Sequence, residues 1–289
     1  MRPEEVVTTF EKEGRRVVET AGCWWYNVYH QKRIYQAFPY HRLVTPTKEE
    51  IAELFHKIPG VFAFRFLAPS GSRGKESFMW VCDGPYDLSR LSASNRSKTR
   101  RGLKHCQIRA LTWDELKSLA WEAQRDTLER QGTKARDINS LGFSKQVEEC
   151  PAYEAWGAFV NKNLAAYLIT LWVEDWVHIL VGRSANAYLK FYPNNALVFS
   201  VVQQCLSRPG VSGVNYGWES LYPMESLDQF KLSMGFTKAP VRQRIVLAPW
   251  LKPVLNPVMC RVIEKIAASR PSNQRLQRLV GFCRIIRKS

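Results

Sequence analysis

The spacing of apolar residues along this chain changes period several times, and each change marks an element. The pattern is clearest from Gln107 onward. Gln107–Leu111 reads as a short strand, and Thr112-Trp113-Asp114-Glu115 caps a helix running to about Arg130. Leu116, Leu119, Ala120, Ala123 and Leu128 form its apolar face, near helical spacing. A shorter helix near Ser144–Cys150 stops at Pro151. Glu154–Val160, Leu164–Glu174 and Trp176–Gly182 then read as three strands, joined at the hairpin-like Asn161-Lys162-Asn163 and Glu174-Asp175. An irregular loop (Ser184–Asn194), a helix (Asn195–Ser207) and a strand (Val211–Trp218) follow. A helix at Glu225–Met234 ends on Gly235, a natural residue after a helix C-terminus, and Val241–Leu247 is the last strand.

The first hundred residues are less regular. A helix through Arg16 precedes aromatic-rich extended stretches at Cys23–Tyr29 and Arg33–Phe38. Thr47-Lys48-Glu49-Glu50 is a capping box opening a short helix that ends before Pro59-Gly60. Val61–Leu67 and Ser77–Cys82 read as a strand pair across a turn-rich linker, and a basic helix spans roughly Asp87 to His105. Beyond Trp250 the pattern predicts two basic helices separated by Pro271. The order from Gln107 is β-α-α-β-β-β-α-β-α-β. Three antiparallel-type strands followed by a βαβ crossover make a mixed sheet of the α+β class. This reading divides the chain into a smaller N-terminal α/β lobe (1–105), a central domain (106–249) and a basic helical tail (250–289).

Composition narrows the picture. A hydrophobic fraction of 45% can build a core. The longest apolar run, Leu164 to Val173, is far short of the roughly 20 residues a spanning helix needs. The start, Met1-Arg2-Pro3-Glu4-Glu5, has no apolar segment of the secretory kind. Seven scattered cysteines without a CxxC pair fit free thiols in a reducing compartment. The expected location is therefore cytoplasmic, with a peripheral position at the inner membrane face as a variant. The five histidines are dispersed without ligand spacing, so no metal is expected.

Charge matters through its placement. Of a net charge of +16, half lies between Trp250 and Ser289, where nine Lys/Arg meet one acid. Arg90 to Arg109 holds seven more Lys/Arg and no acid. Two such clusters point to an anionic ligand such as nucleic acid, a phosphorylated metabolite or a membrane surface. The last helix carries Leu276, Leu279, Val280, Cys283 and Ile286 on one side, with arginines around them. It could lie on an anionic membrane, touch tRNA, or pack on the protein. The aromatic set Trp24, Trp25, Tyr26, Tyr29, Tyr35, Phe38 and Tyr40 could stack bases, but a strand pair burying aromatics on one face is the plainer reading.

The element order from Gln107 to Leu247 resembles the GNAT acyltransferase fold. Asn95-Arg96-Ser97-Lys98-Thr99-Arg100-Arg101-Gly102 resembles the basic helix that precedes the GNAT domain of Fem-type peptidyltransferases. Asp228-Gln229-Phe230-Lys231-Leu232-Ser233-Met234-Gly235-Phe236 is similar to their FK…FG segment. The resemblance implies transfer of an acyl or aminoacyl group, from a CoA thioester or an aminoacyl-tRNA, to an amine. Lys231 would contact donor phosphate or stabilise the oxyanion. Glu219, beside aromatic residues, would act as general base with a raised pKa, and Tyr216 would protonate the leaving group or bind substrate. Tyr222, Arg96, Arg100 and Arg101 would bind substrate or its anionic groups. Acyl-CoA would sit at Lys190, Tyr192, Asn194 and Asn195, with Asn194 left-handed or capping the helix. One departure stands out: the loop Asn186–Asn195 has no glycine, whereas CoA-using members present a glycine-rich cradle to the pyrophosphate. The alternative is a degenerate GNAT-like module binding nucleic acid or an anionic membrane. His178, flanked by Val177 and Ile179, reads as a packed strand residue.

Overall fold

A computed structural model describes residues 1–28, 31–132, 145–270 and 273–289. Tyr29, Ser144 and Pro271, each named in the reading above, lie outside the described residues. In chain order the elements are α1 (Pro3–Lys12), β1 (Val17–Glu19), β2 (Trp24–Val28), β3 (Gln31–Phe38), α2 (Lys48–Lys57), β4 (Ala63–Ala68) and β5 (Lys75–Asp83). Then come α3 (Ala93–His105), β6 (Gln107–Leu111), α4 (Trp113–Leu119), α5 (Trp121–Arg130), α6 (Lys145–Glu149), β7 (Tyr153–Val160), β8 (Asn163–Val173) and β9 (Trp176–Ser184). The last are α7 (Pro193–Leu206), β10 (Gly213–Trp218), α8 (Glu225–Ser233), β11 (Thr237–Leu247), α9 (Pro257–Ala268) and α10 (Gln274–Ile286).

The architecture is the expected α+β one: a mixed sheet with helices. Both capping boxes form, with Thr47 and Glu50, and Thr112 and Glu115, exchanging side-chain and backbone bonds. The β7–β8 turn takes Asn161 and Lys162 through φ of 48° and 68°, the left-handed pair that a tight hairpin requires.

Four local expectations need correction. The first helix ends at Lys12, and Val17–Glu19 pairs instead with β2. The helix expected from Thr112 to Arg130 is two, because the chain turns at Ala120, which is fully buried between them. The loop after β9 holds a short 3₁₀ helix, Asn186–Phe191. Val61–Leu67 and Ser77–Cys82 do not pair with each other: β11 lies between β4 and β5 in the sheet. A strand that starts some 150 residues later leaves no local trace.

The chain gathers into two compact units of non-consecutive segments. One comprises residues 1–9, 80–217 and 227–237, the other 10–79, 218–226 and 238–289. The expected N-terminal lobe and basic tail thus fall largely within one unit, and its boundaries do not coincide with breaks after 105 and 249.

In the first unit the strand order is β5-β10-β9-β8-β7-β6. β7, β8 and β9 form an antiparallel meander, β7 and β8 buried almost throughout and β9 in part, and α7 covers it with Ala196, Leu197, Val198, Val201 and Val202. His178 is 2% exposed, as a packed strand residue.

In the second unit the order is β1-β2-β3-β4-β11-β5. The aromatics of β2 and β3 turn inward: Trp25 packs edge-on against Phe64 and Phe66, while Phe10 stacks on Tyr26. α10 closes a second apolar cluster, with Ile285 beside Ala63, Ile245 and Leu247. A Cβ at Gly281 would collide with the Leu221 carbonyl, so α10 lies directly against the chain there. All seven cysteines are buried free thiols.

Candidate active site

The first unit has an opening between two parallel strands. β9 and β10 pair at Trp176↔Gly213, Val177↔Val214 and His178↔Asn215, and no further. β9 continues to Ser184 and β10 to Trp218, so past His178 their facing edges separate. A register shift between Ile169 and Thr170 leaves Leu180 as an extra residue on β9, just where the separation begins. Backbone donors beyond the last paired position have no strand partner across the gap. Gly182 leaves room for the Tyr216 side chain to reach across, because a Cβ there would sit 3.3 Å from the Tyr216 hydroxyl.

Lys231 is placed at this opening by α8. The side chain is only 4% exposed and its Nζ donates to the Tyr216 carbonyl at 2.8 Å. The ring centroids of Tyr216 and Trp80 lie 4.8 and 5.8 Å from the ammonium. No carboxylate among the described residues comes within ion-pair distance of it. Burial lowers its pKa to about 8, opposed by the charge of Asp228. Asp228 lies one turn earlier on α8, and its Oδ1 is buried with no hydrogen-bond partner. Burial also raises the Tyr216 phenol to about 12, so it stays protonated and can donate. Arg183, on β9, depresses it less; its own guanidinium bonds to Gln124 Oε1 (2.9 Å) and the Gly182 carbonyl (3.0 Å) and meets no acid among the described residues. Sequence reasoning named Lys231 and Tyr216, which the structure brings together, but gave no role to Asp228 or Arg183. For Arg183 the only trace was a charged residue at the end of an apolar strand.

The two sequence signatures meet physically. Ser92, the cap of α3, donates its N–H to the Ser233 carbonyl at 3.0 Å, and Asn95 Nδ2 donates to Ser233 Oγ at 2.5 Å. Tyr86 Oη donates to the Met234 carbonyl at 2.7 Å. Gly235, with φ of 87°, lets the chain turn beneath Arg90 and Tyr86. Of the α3 cations, Arg100 and Arg101 are exposed, and Arg96 is half-buried with an Nε that has no partner. Arg101 stacks over the Tyr192 ring at 5.0 Å.

At the start of α7 the left-handed residue is Tyr192 (φ 55°), in place of the Asn194 anticipated from sequence. Asn194 instead donates to Ser184 Oγ at 3.0 Å, fastening the end of β9. Asn195 is buried and points at the Met234 sulfur. Lys190 is exposed, 5.2 Å from the Phe191 ring. These four residues do not make a pyrophosphate cradle. The Tyr192 amide is spent on Leu189, the Asn195 and Ala196 amides bond to the Tyr192 carbonyl, and Pro193 has none. α3 presses on the same point, since a Cβ at Gly102 would sit 2.8 Å from the Tyr192 carbonyl oxygen. The residues present do not fit CoA in its usual GNAT position.

Glu219 and Tyr222 belong to the second unit. The Glu219 carboxylate is ion-paired with Lys75 at 2.5 Å, and its backbone carbonyl accepts from Gln243 Nε2. An ammonium at that distance occupies the lone pairs a general base would need. The Tyr222 ring lies under the Arg278 guanidinium, 5.4 Å away.

No protein-family model matches the chain. No curated protein matches it either. Solved structures do. FemX is 13% identical over 86% of this chain and 93% of its own, with a TM-score of 0.58. L-PGS from Bacillus licheniformis is 15% identical over 95% and 97%, with a TM-score of 0.54. The C-terminal domain of a putative lysylphosphatidylglycerol synthetase from Agrobacterium fabrum is 11% identical over 83% and 86%, with a TM-score of 0.53. At these identities the likeness is one of fold: the chain has the GNAT-type fold in its Fem-like form.

Proposed function

We propose that this protein is an acyltransferase that takes an aminoacyl or acyl group from a phosphate-rich ester donor, an aminoacyl-tRNA before a CoA thioester, and delivers it to an amine. The observation that carries this reading is Lys231: a buried ammonium with no carboxylate at ion-pair distance among the described residues, at the mouth of a splayed pair of strands. Keeping such a charge out of water is costly, and structural lysines are seldom placed so. An oxyanion forming beside it would meet a fixed positive charge in a site that excludes water, where that charge acts most strongly. The unpaired β9 amides past His178 would add neutral donors. Tyr216, protonated at any working pH, would donate to the departing oxygen. Asp228, with one free carboxylate oxygen, replaces Glu219 as the acceptor of the amine proton.

The donor follows from charge and from the filled loop. Arg96, Arg100 and Arg101 lie on a helix that begins against the end of α8, so a polyanion tracking α3 is led toward Lys231. The name of one structural neighbour, a putative lysylphosphatidylglycerol synthetase, denotes a lysyl-group transfer, which supports this choice.

Thermal-shift and transfer assays with aminoacyl-tRNA, acetyl-CoA and long-chain acyl-CoA test it. Aminoacyl-tRNA is expected to stabilise the protein in a salt-sensitive way, less in Arg100→Ala/Arg101→Ala. Stabilisation by acetyl-CoA alone, indifferent to salt, would overturn the donor assignment. RNA binding with no transfer of any acyl group would favour the binding-module alternative.

A further inference from the structure

The sequence pattern left three roles for the last helix, α10 (lying on an anionic membrane, touching tRNA or packing on the protein), and the structure shows the third. Val280, Cys283 and Ile285 are buried, the last against Ala63, Ile245 and Leu247. The unpartnered apolar face belongs to its neighbour, α9. Val258 (67% exposed), Met259, Val262 and Ile266 all face outward, while Cys260 and Ala267 point into the protein. At 3.6 residues per turn the four outward residues fall within an arc of about 100°. Arg261 and Lys265 flank that arc on one side, and both are exposed. Just before the helix, Trp250 and Val254 are also more than half exposed.

We infer that α9 is an interfacial helix that docks the protein on an anionic lipid bilayer, its aliphatic arc entering the headgroup boundary and its cations resting on lipid phosphates. Three observations select this occupant. Aliphatic residues beside cations are the pattern of a helix lying in a membrane surface; a nucleic-acid face would offer cations with stacking aromatics instead. The single acid of the helix, Glu264, is engaged by Arg287 at 2.6 Å and Arg284 at 3.8 Å, so nothing on α9 offsets the charge of Arg261 and Lys265. Two copies meeting through α9 would bring those like charges together, which argues against a dimer. Finally, the segment leading into α9 borders a pocket of about 420 Å³. Its charged lining residues are Arg244, Lys252 and Arg287, set beside Leu247, Leu255 and Ile286. The Arg244 Nε is buried and has no hydrogen-bond partner. A surface that adjoins a cationic, partly apolar pocket suits lipids with anionic headgroups.

The inference is independent of the transfer reaction and is tested with the full chain. Val258→Cys provides a site for an environment-sensitive fluorophore, since all seven native cysteines are buried. With vesicles of phosphatidylcholine and 30% phosphatidylglycerol, the label is expected to shift to the blue and the protein to float with the lipid. Pure phosphatidylcholine vesicles, or about 0.5 M salt, should weaken binding at least tenfold, each basic residue near the surface contributing about fivefold. Val262→Asp/Ile266→Asp should lose vesicle binding at least tenfold; both positions are exposed, and an unchanged circular dichroism spectrum excludes misfolding. An unshifted label with anionic vesicles overturns the inference. So does a concentration-dependent dimer abolished by Val262→Asp/Ile266→Asp, or tRNA binding lost in that variant with vesicle binding intact.

Discussion

Lys231 bonds to Tyr216 near the end of β10 and Lys75 to Glu219 three residues further along the chain, yet their surroundings are opposite. Lys75 shares a quarter-exposed ion pair in which each charge answers the other. Lys231 is almost wholly buried, meets a carbonyl and two aromatic rings, and has no ion-pair partner among the described residues. The first arrangement joins two segments of a fold. The second stores electrostatic potential for something that arrives. Sequence alone offered both Glu219 and Lys231 as candidates, Lys231 first; burial and partners set them further apart.

The largest effect expected along this contrast is from Lys231→Met. Turnover should fall by at least a hundredfold, the scale on which single oxyanion donors act. Stability should rise by a few degrees in melting temperature, because an uncompensated charge is removed. Lost activity together with lowered stability would mark Lys231 as a structural residue. The pH dependence comes next. With the folded pKa near 8 and the unfolded one near 10.5, the ammonium is lost as pH rises through about 8. The transfer rate is expected to fall there, and Lys231→Arg, which stays charged, should remove that descending limb if it keeps activity. The unfolded state binds the proton more tightly between those values, so wild-type stability should climb from pH 8 to 10.5 relative to Lys231→Met. Denaturant titrations at each pH measure it, and a flat difference would contradict the burial argument. The smallest effect is from Glu219→Gln. Losing a quarter-exposed ion pair costs about 0–1 kcal/mol, and turnover should change less than threefold. A large loss of turnover with unchanged folding would return Glu219 to the catalytic role.

What could be read from sequence was what acts over short range. Capping boxes and hairpin turns rest on residues a few positions apart and the βαβ crossover on strands 37 positions apart, and those elements stand where they were expected. The insertion of β11 between β4 and β5, the Lys75–Glu219 pair and the fall of N-terminal lobe and tail into one unit depend on residues more than a hundred positions apart. No periodicity records them. At the site, Lys231 and Tyr216 were legible through a short motif and a strand end. Asp228 and Arg183 were not, because only a buried oxygen without a partner and a guanidinium without an acid set them apart. The filled start of α7 was half legible: the missing glycines could be seen, the left-handed Tyr192 and the pressure of α3 could not.

The interleaving of the two units has a consequence for how the polypeptide matures. The chain passes from one to the other five times, at residues 9, 79, 217, 226 and 237. A ribosome must therefore have released residue 237 before the first can close. The second must wait for Ile285, which seats against Ala63 more than two hundred residues earlier. Neither half is a module that a single cut could free, and removing α10 would unseal a core that Ala63 helps to build.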